Sequence, residues 1–447
     1  MDLTGWGRTT VARGYACRPE RQSELGGALA GLGPEGIIAH GGGRAYGDAA
    51  LNAGGRTVLT TRLDRLLAFD PATGEVVAEP GVTFRDLVDI FVPRGYMPPA
   101  SPGTAFATVG GAAAADVHGK NHTRHGSFGD HVRWFDLLMA DGETRRVSAE
   151  DDPELFAATI GGMGLTGIIR AVCFRLLPHA TPHVVVRKSR IPDLDTFVEA
   201  LDQARRSATF SVGWIDALAS GRALGRGILE TAEFASDARP APRMRDRARS
   251  VPFDLPGFVL SPASVRAFNE LYFRRVPEGG REQTVPFAKF LYPLDSIHRW
   301  NRIYGKRGFY QFQCVLPDET AATGLRRLLA EIAGAGAASF LAVLKTLGGE
   351  GRGYLSFPMR GYTLALDFPR RAGSAELLKH LETIVIEHGG RVYLAKDALL
   401  SPESLRVMYP HVPSLERVLA RVDPDGLFTS DLARRLLLKP VPARSDA

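Results

Sequence analysis

The sequence predicts an α+β protein made of two folded units. Its 447 residues exceed what one hydrophobic core usually organises, because domains commonly contain about 100–200 residues. Residues 1–181 contain short strand-like runs separated by glycine-rich turns. After Pro182, strand-like and helix-like segments follow one another, which is typical of an antiparallel sheet covered by helices.

The first unit contains strand-like runs and one well-marked helix. The run GIIAH ends directly before Gly41, and TVLTT and EVVAEP are the next two runs. A helix is expected in FRDLVDIFVPRG, with Thr83 as its N-cap and Gly95 as its stop. Leu87 and Phe91 lie on one face of that helix and are candidate core residues.

The second unit begins with a strand in VVVRKSRI and a helix in FVEALDQARRSA. Near its end, YTLALDF has the alternation of a strand, and a helix is expected from Ser374 to Gly389. These four segments predict an antiparallel sheet with helices packed on it.

Composition restricts the class of protein. Hydrophobic residues make up 45% and charged residues 23%, as in ordinary globular proteins. The net charge of +6 suits an anionic substrate or an anionic lipid surface, but it is too diffuse to predict a nucleic-acid partner. Three scattered cysteines predict no disulfide framework. The first residues lack the apolar core of a signal peptide, so we expect a cytoplasmic protein that meets any lipid from the water side.

Three glycine-rich segments in the first unit indicate a ligand that the backbone approaches closely. They are His40–Asp48 (HGGGRAYGD), Pro102–His118 and Gly161–Ile169. Glycines after a strand let backbone N–H groups reach a phosphate. A strand-like run, not a helix, follows the first segment, so it is not a Rossmann fingerprint. The small residues Ala112–Ala115 suit either tight packing or contact with a flat, rigid ring.

The segment HGKNHTRHGSFGDH carries four histidines, His118, His122, His125 and His131. Their spacing matches no HExxH or paired-cysteine pattern, so no metal is predicted. A polar active-site wall is the preferred interpretation, with Lys120 supplying a cation beside His118.

Five arginines lie among prolines between Arg239 and Arg249. One interpretation is a solvated, poorly ordered loop. The other is a mobile basic lid over an anionic substrate. The two are compatible.

Several unusual strings carry a resemblance that extends over nearly the whole chain. They are GGGRAYGD, TVGGAAAADVHGKNH, GSFGDHVR, GGMGLTGII, FYQFQ, FLAVLK, LSFP, GGRVYLAKD and DPDGLFTSDLARRL. Together they resemble the vanillyl-alcohol-oxidase (PCMH) type of FAD-binding proteins. Within that type, the chain resembles the decaprenylphosphoryl-β-D-ribose oxidase family.

The resemblance implies a fold, a domain division and a cofactor. It implies an FAD-binding domain over residues 1–181, a substrate domain over 182–390 and a C-terminal segment, 391–447, that returns to the FAD domain. Related oxidases with covalent flavin carry a histidine at the place of Ala45, so noncovalent FAD is implied here. The implied cofactor-binding residues are Gly41, Gly42, Gly43, Arg44, Ala45, Tyr46, Gly47, Gly103, Thr108, Val109, Gly110, Gly111, Ala115, His118, Gly119, Ile169 and Tyr393.

The resemblance also implies catalytic and substrate residues. The catalytic candidates are Lys396, His118, Lys120 and Tyr46. The substrate candidates are Gln311, Gln313, Lys345, Thr363 and Ala365. Mycobacterial members carry a cysteine at Ala365 and an asparagine at Thr363, which puts the exact sugar and lipid specificity in doubt but not the chemistry.

The implied reaction is oxidation of the 2′-hydroxyl of a polyprenyl-phosphoryl ribose to a keto group. A separate NADH-dependent short-chain reductase would then complete epimerisation to the arabinose donor for cell-envelope glycans. The protein would lie in the cytoplasm, in peripheral contact with the membrane surface, and a periplasmic location stays open as the alternative. Two alternatives stay open: an FAD-dependent oxidase of a soluble alditol or sugar lactone, and a flavin-binding partner protein without turnover.

Overall fold

The computed structural model describes residues 1–179, 181–236, 249–337 and 340–438. Its β-strands are, in chain order, β1 Asp2–Thr4, β2 Val11–Arg13, β3 Tyr15–Cys17, β4 Ile37–His40, β5 Arg56–Leu59, β6 Leu66–Asp70, β7 Glu75–Ala78, β8 Tyr96–Met97, β9 Val132–Leu138, β10 Thr144–Ser148, β11 Ile168–Arg175, β12 Leu177–Pro178, β13 His183–Ile191, β14 Phe210–Ile215, β15 Gly227–Phe234, β16 Arg249–Ser250, β17 Arg281–Pro286, β18 Ile297–His298, β19 Phe309–Pro317, β20 Ala342–Leu347, β21 Gly361–Pro369 and β22 Arg391–Val392.

The α-helices in the described ranges are α1 Phe84–Phe91, α2 Val109–Ala114, α3 His122–His125, α4 Pro153–Thr159, α5 Leu194–Ser207, α6 Pro262–Arg274, α7 Phe287–Leu291, α8 Asp318–Ala335, α9 Ser374–Glu387, α10 Pro402–Met408, α11 Val412–Val422 and α12 Asp431–Arg435. None of them is both long enough and apolar enough to cross a lipid bilayer. Of the arginine-rich segment, only Arg249 lies within the described residues, so the lid interpretation falls outside them.

Two sheets organise the first half of the chain. Strands β3, β5 and β4 form a parallel three-stranded sheet, and β10, β9, β11, β7 and β6 form an antiparallel five-stranded sheet. The helix expected after Thr83 is confirmed. Its Thr83 hydroxyl accepts the Asp86 N–H while the Asp86 carboxylate accepts the Thr83 N–H, and the chain turns away at Gly95 with φ of 86°. Leu87 and Phe91, which belong to this helix, are both buried.

The second half contains an eight-stranded sheet in the order β17-β13-β15-β14-β20-β21-β19-β22. Every neighbouring pair is antiparallel, so the α+β class with an antiparallel second sheet is confirmed. Helices α5, α8 and α9 pack on this sheet. The expected helix from Ser374 is confirmed and ends at Glu387, just before Gly389.

The C-terminal segment packs against the first half. Ile37 of β4 donates its N–H to Leu427 O at 2.8 Å and accepts the Thr429 N–H at 3.0 Å. The exact domain boundaries at 181/182 and 390/391 stay predictions, and β22 pairs with β19 in the eight-stranded sheet.

Arg435 ties the C-terminal segment to the first glycine-rich loop. Its guanidinium donates to both carboxylate oxygens of Asp48 at 2.8 Å, to Asp397 Oδ2 at 2.9 Å and to Leu400 O at 2.6 Å. Asp48 and Asp397 are both buried. Two buried carboxylates therefore depend on one cation.

We predict that Arg435→Leu lowers the free energy of unfolding by about 3–5 kcal/mol, because it leaves two buried carboxylates without their cation. Denaturant unfolding of the FAD-free protein measures this change. Arg421→Leu is the matched control, since its ion pair with Asp152 is half-exposed and should contribute less than about 1 kcal/mol. Equal losses in the two variants would contradict the prediction.

Candidate active site

A cavity of about 560 Å³ lies between the glycine-rich loops and the eight-stranded sheet. The first half of the chain contributes residues within 39–51, 102–118 and 163–169 to its wall. The second half contributes residues within 294–300, 311–313, 341–345 and 393–396, together with Ala365. All three glycine-rich segments found in the sequence therefore meet at one cavity.

The first glycine-rich loop packs directly on the second. A Cβ at Gly41 would overlap Thr108 Oγ1 and one at Gly42 would lie 2.5 Å from Phe106 O, so side chains at these positions would force the two segments apart. Next in the loop, the Arg44 guanidinium lies 4.3 Å from the ring centroid of Trp6 and 5.2 Å from that of Phe106. These contacts fix the loop while leaving its backbone on the cavity wall.

The second and third segments are joined by backbone hydrogen bonds. Thr108 caps α2 by accepting the Gly111 N–H at 3.3 Å. Gly161 N–H donates to Ala113 O and Met163 N–H donates to Ala114 O, both at 2.9 Å. Gly111 is exposed toward the cavity. The small residues of α2 thus allow close packing against the third segment, and they keep the cavity wall free of bulky side chains.

Strand register explains how the sheet supplies polar groups to the cavity. Gln313 of β19 is directly opposite Ala365 of β21, and Lys345 of β20 is opposite Thr363. Residues directly opposite in an antiparallel pair share a face, and alternate residues along a strand return to it. The intervening residues, such as Leu364, are buried on the other face, where the helices pack.

Lys396 lies on the cavity wall against Tyr46. The Tyr46 N–H donates to Ala395 O at 2.9 Å, and the Lys396 Nζ lies 3.8 Å from the Tyr46 ring centroid. Burial lowers the pKa of Lys396 to about 7, where the attraction of Asp367 opposes the shift and the charge of Lys345 adds to it. Burial alone lowers the pKa of Lys345 to about 8.

His118 is buried on the same wall. Its Nε2 hydrogen-bonds with Gln313 Nε2 at 2.9 Å, and Gln313 Nε2 also donates to Thr363 Oγ1 at 3.1 Å. Burial holds the pKa of His118 well below its ordinary value, and the nearby charges of Lys345 and Lys396 lower it further. His118 is therefore a neutral imidazole at physiological pH.

Most of the residues singled out from the sequence line the cavity. The cavity wall includes Gly41, Gly42, Gly43, Arg44, Ala45, Tyr46, Gly47, Gly103, Thr108, Gly110, Gly111, Ala115, His118, Ile169, Gln311, Gln313, Lys345, Ala365, Tyr393 and Lys396. Four others of that set, Val109, Gly119, Lys120 and Thr363, are not among its lining residues. Thr363 stays in contact with the wall through Gln313.

Lys120 is not among the residues that line the cavity. Its ammonium donates to the Phe290 carbonyl and lies 4.1 Å from the Phe290 ring centroid. Burial lowers the pKa of Lys120 to about 8. The amine therefore bridges the histidine-rich segment and α7.

Of the four histidines, His125 and His131 do not line the cavity. Instead, His131 Nε2 hydrogen-bonds with His125 O at 2.6 Å. In the described part of the chain, no cluster of three metal-binding side chains forms.

Several wall residues were not identified from the sequence. Trp6, Arg299 and Trp300 line the cavity, and the buried Asp367 supports it from behind Gln311. No motif surrounds them, and each reaches the site through long-range packing. Only the alternation of YTLALDF offered a clue, since it places Asp367 on the same strand face as Thr363 and Ala365.

Comparison with protein families supplies the chemical class. Residues 18–148 match the FAD-binding domain model and residues 360–436 match the D-arabinono-1,4-lactone oxidase model. Decaprenylphosphoryl-β-D-ribose oxidase of Mycolicibacterium smegmatis is 37% identical over 98% of this chain and 97% of its own length. L-gulono-1,4-lactone dehydrogenase of Mycobacterium tuberculosis is 23% identical over 96% of this chain and 97% of its own length.

The PCMH-type fold, the cavity and these matches define an FAD-dependent oxidoreductase that acts on a CH–OH group. The extent and identity of the mycolicibacterial match make the assignment more specific. The chain belongs to the decaprenylphosphoryl-β-D-ribose oxidase family.

The cavity fits FAD on its own geometry. The glycine-rich loops form a wall where Gly103 has open space in place of a side chain. Three buried polar atoms on the wall, Arg44 Nε, His118 Nδ1 and Gln311 Oε1, have no hydrogen-bond partner among the described residues. Buried polar groups without partners are costly, so a polar ligand is expected to satisfy some of them.

We predict that Gly111→Leu abolishes FAD binding, because its side chain would enter the cavity from α2. The measurement is flavin absorbance per protein, with flavin counted in both supernatant and pellet after acid precipitation. Wild type should release intact FAD to the supernatant, as the Ala45 argument requires. Gly334→Leu is the matched control, since Gly334 is also an exposed helical glycine with open space around it. Normal FAD content in Gly111→Leu would contradict the prediction.

Proposed function

We propose that this chain oxidises the 2′-hydroxyl of a polyprenyl-phosphoryl ribose to the 2′-keto sugar. One observation carries the proposal: Lys396, Lys345, His118 and two glutamines line one cavity together with the glycine-rich loops suited to FAD. Two buried amines make this wall attractive to an anionic substrate. The 37% identity to a decaprenylphosphoryl-β-D-ribose oxidase supports a polyprenyl-linked ribose as that substrate.

Bound FAD would accept the hydride from the sugar carbon. The residues proposed to hold it are the cavity-lining members of the set implied by the resemblance. The main ones are the loop Gly41–Gly47, Thr108, Gly110, Gly111, Ile169 and Tyr393. Tyr393 supports this assignment because its hydroxyl donates to Ala115 O at 2.8 Å and its ring stacks on Phe357 at 4.7 Å, which makes a rigid wall.

Lys396 is the proton acceptor in this proposal. Its pKa of about 7 leaves a large fraction of the amine unprotonated near neutral pH, so it can take the hydroxyl proton as the hydride leaves. The Tyr46 ring below the Nζ stabilises the ammonium that forms, through a cation–π interaction. The negative charge of Asp367 also favours the ammonium form of Lys396.

Lys345 and His118 bind and orient the sugar. With a pKa of about 8, Lys345 is mostly protonated at pH 7 and supplies the cation for the substrate. Neutral His118 lines the cavity, and Gln313 holds its Nε2. Lys120, bound to Phe290, positions the histidine-rich segment and takes no part in proton transfer.

A soluble sugar lactone or alditol is the second candidate substrate class. The match of residues 360–436 to the D-arabinono-1,4-lactone oxidase model favours it, and so does the similarity to the mycobacterial L-gulono-1,4-lactone dehydrogenase. Under the first proposal, an NADH-dependent short-chain reductase acts next on the keto sugar, and the enzyme works in the cytoplasm at the membrane surface.

We predict that a short-chain polyprenyl-phosphoryl ribose bleaches the flavin absorbance under anaerobic conditions. Free alditols and 1,4-lactones at equal concentration should bleach it at least tenfold more slowly, because they lack the phosphate that the amines attract, about 1.4 kcal/mol. Faster bleaching by a lactone would replace the proposal with the second candidate. Absence of bleaching by every compound would exclude both.

We predict that Lys396→Ala lowers the anaerobic flavin reduction rate by ~10²–10³, the usual loss for a preorganised catalytic group. Lys396→Arg should recover little, because guanidinium does not deprotonate. The wild-type rate should rise with pH through about 7, since only the unprotonated amine accepts a proton, and that rise should vanish in the alanine variant. Stopped-flow reduction of FAD-loaded protein is the measurement.

The control for this prediction is Lys379→Ala on the exposed surface of α9, which should leave the rate unchanged. A Lys396→Ala rate within about threefold of wild type, below about 1 kcal/mol, would show that Lys396 is structural and would move the proton acceptor to His118.

A further inference from the structure

The carboxylate of Asp116 joins three segments that are far apart in the sequence. Asp116 lies shortly after α2 and two residues before His118, and it is fully buried. Its Oδ1 accepts the Gly129 N–H at 2.9 Å, and its Oδ2 accepts the Ser356 hydroxyl at 2.5 Å. The end of α2, the loop before β9 and the segment before β21 therefore meet at one side chain.

Two features of Asp116 are costly to the folded protein. Its φ of 41° is a left-handed backbone conformation that is uncommon for residues with a side chain. Burial raises its pKa to about 6 and the charge of Asp130 adds to this, whereas hydrogen bonds from Ser356, Ser127 and Gly129 oppose the rise. All three of these donors are neutral. Strained and buried charged groups are retained most often where they serve function.

The Ser356 hydroxyl transmits the contact to the next residue, Phe357. Its Oγ accepts the Gly353 N–H at 2.9 Å, and the Ser356 N–H donates to Gly353 O at 3.0 Å, which closes the turn 353–356. A Cβ at Gly351 would lie 2.2 Å from Asp116 Oδ2, so this part of the chain lies directly on the carboxylate. Asp116 and Ser356 together thus fix the turn that leads into Phe357.

Phe357 packs against the imidazole of His118. Its ring centroid lies 5.2 Å from that of His118 and 4.7 Å from that of Tyr393, and the His118 and Tyr393 rings are also 5.2 Å apart. The Tyr393 hydroxyl donates to Ala115 O. Phe357 is fully buried, whereas His118 lines the cavity. The buried ring therefore supports the imidazole from within the protein.

We propose that Asp116 is a positioning residue for His118: through the Ser356 hydroxyl it holds Phe357 against the imidazole and so fixes that ring on the cavity wall. The proposal rests on the proposed function, in which His118 binds and orients the sugar. Asp116 is not among the residues that line the cavity, so it acts through its neighbours. Loss of this support lets the imidazole move, which misorients the sugar and slows flavin reduction.

The first test uses Ser356→Ala, which removes the hydroxyl between Asp116 and the turn 353–356. FAD-loaded protein is kept in D₂O at pH 8, where Asp116 is ionised because its pKa is about 6. Mass spectrometry of peptides then measures exchange of the imidazole C2 hydrogen of His118. The exchange should be about fivefold faster or more in Ser356→Ala, because the ring loses its support and opens to solvent.

His40 is the internal control for this measurement. It is 8% exposed, against 7% for His118, and its Nδ1 hydrogen-bonds with Ala50 O at 2.9 Å. Its C2 exchange should stay unchanged in Ser356→Ala, whereas general loosening of the protein would accelerate both histidines.

Ser148→Ala is the matched control variant. The buried Ser148 hydroxyl donates to Asp151 Oδ2 at 2.7 Å, so a similar Ser–Asp bond is lost, but at a place that does not line the cavity. Its loss should leave the exchange of His118 unchanged.

Two further variants separate the hydrogen bonds from the charge and from folding. In Asp116→Asn the amide oxygen accepts the Gly129 N–H and the amide nitrogen donates to Ser356 Oγ, so His118 exchange should stay within about twofold of wild type. Asn also tolerates the left-handed backbone. If Ser356→Ala does not fold, Ser356→Cys replaces it. The weak S–H donor should still accelerate His118 exchange more than about twofold.

The second readout is the rate of anaerobic flavin reduction by a short-chain polyprenyl-phosphoryl ribose. Ser356→Ala should lower the maximal rate about tenfold. In a His118→Ala background the same change should matter less than about twofold, because the imidazole that it positions is absent. A residue that only stabilises the fold would lower the rate by the same factor in both backgrounds.

Unchanged His118 exchange in Ser356→Ala, an equal acceleration at His40, or equal rate losses in the two backgrounds would overturn the proposal. Failure of the proposed function has a different signature. There, His118 exchange rises as expected in Ser356→Ala, but the polyprenyl-phosphoryl ribose does not reduce the flavin of wild type.

Discussion

The close contact between residues 45–48 and residues 395–397 is the constraint on which the site depends. A Cβ at Gly47 would overlap the carbonyl oxygen of Asp397, so only glycine lets the two backbones meet there. The Tyr46 N–H to Ala395 O hydrogen bond lies beside this contact, and Arg435 clamps Asp48 and Asp397 on its other side. Tyr46 and Lys396 face each other only because these backbones are joined.

That contact also explains why the C-terminal segment must pack against the first half of the chain. The glycine-rich loop lies near the N-terminus, whereas Lys396 and Arg435 lie near the end of the sequence. The β4 strand pairs with the backbone around Phe428, which carries α12 and Arg435 to the loop. Packing of the C-terminal segment, rather than any local motif, therefore decides where the amine of Lys396 lies.

The electrostatic character of the wall follows from an imbalance of buried charge. Lys345 and Lys396 both have lowered pKa values because burial penalises their charged forms, and Asp367 is the carboxylate that opposes this at Lys396. Such an arrangement destabilises the protein without ligand. Its cost is consistent with a site that gains stability from an anionic ligand, since sites of function are where such unpaired groups are retained.

The sequence predicted much of this fold because several of its determinants are local. The Thr83 cap, the Gly95 stop and the strand that ends at Gly41 are each set by a few neighbouring residues, and the three glycine-rich segments did meet at one cavity. The roles of individual site residues were implied by resemblance alone. The direction of Lys120 onto Phe290 and the place of Asp367 depend on contacts between residues far apart in sequence, which local patterns do not contain.

The two faces of the eight-stranded sheet separate stability from specificity. Residues such as Leu364 and Leu366 are fully buried on the face where helices pack, so changes there alter the core. Thr363 and Ala365 lie on the other face, directly opposite Lys345 and Gln313. At these two positions the resemblance described above implies other residues, an asparagine and a cysteine, in mycobacterial family members. A substitution there changes the space and hydrogen bonding beside the polar groups of the wall without disturbing the packed face, so the substrate can diverge while the fold and its FAD-binding loops persist.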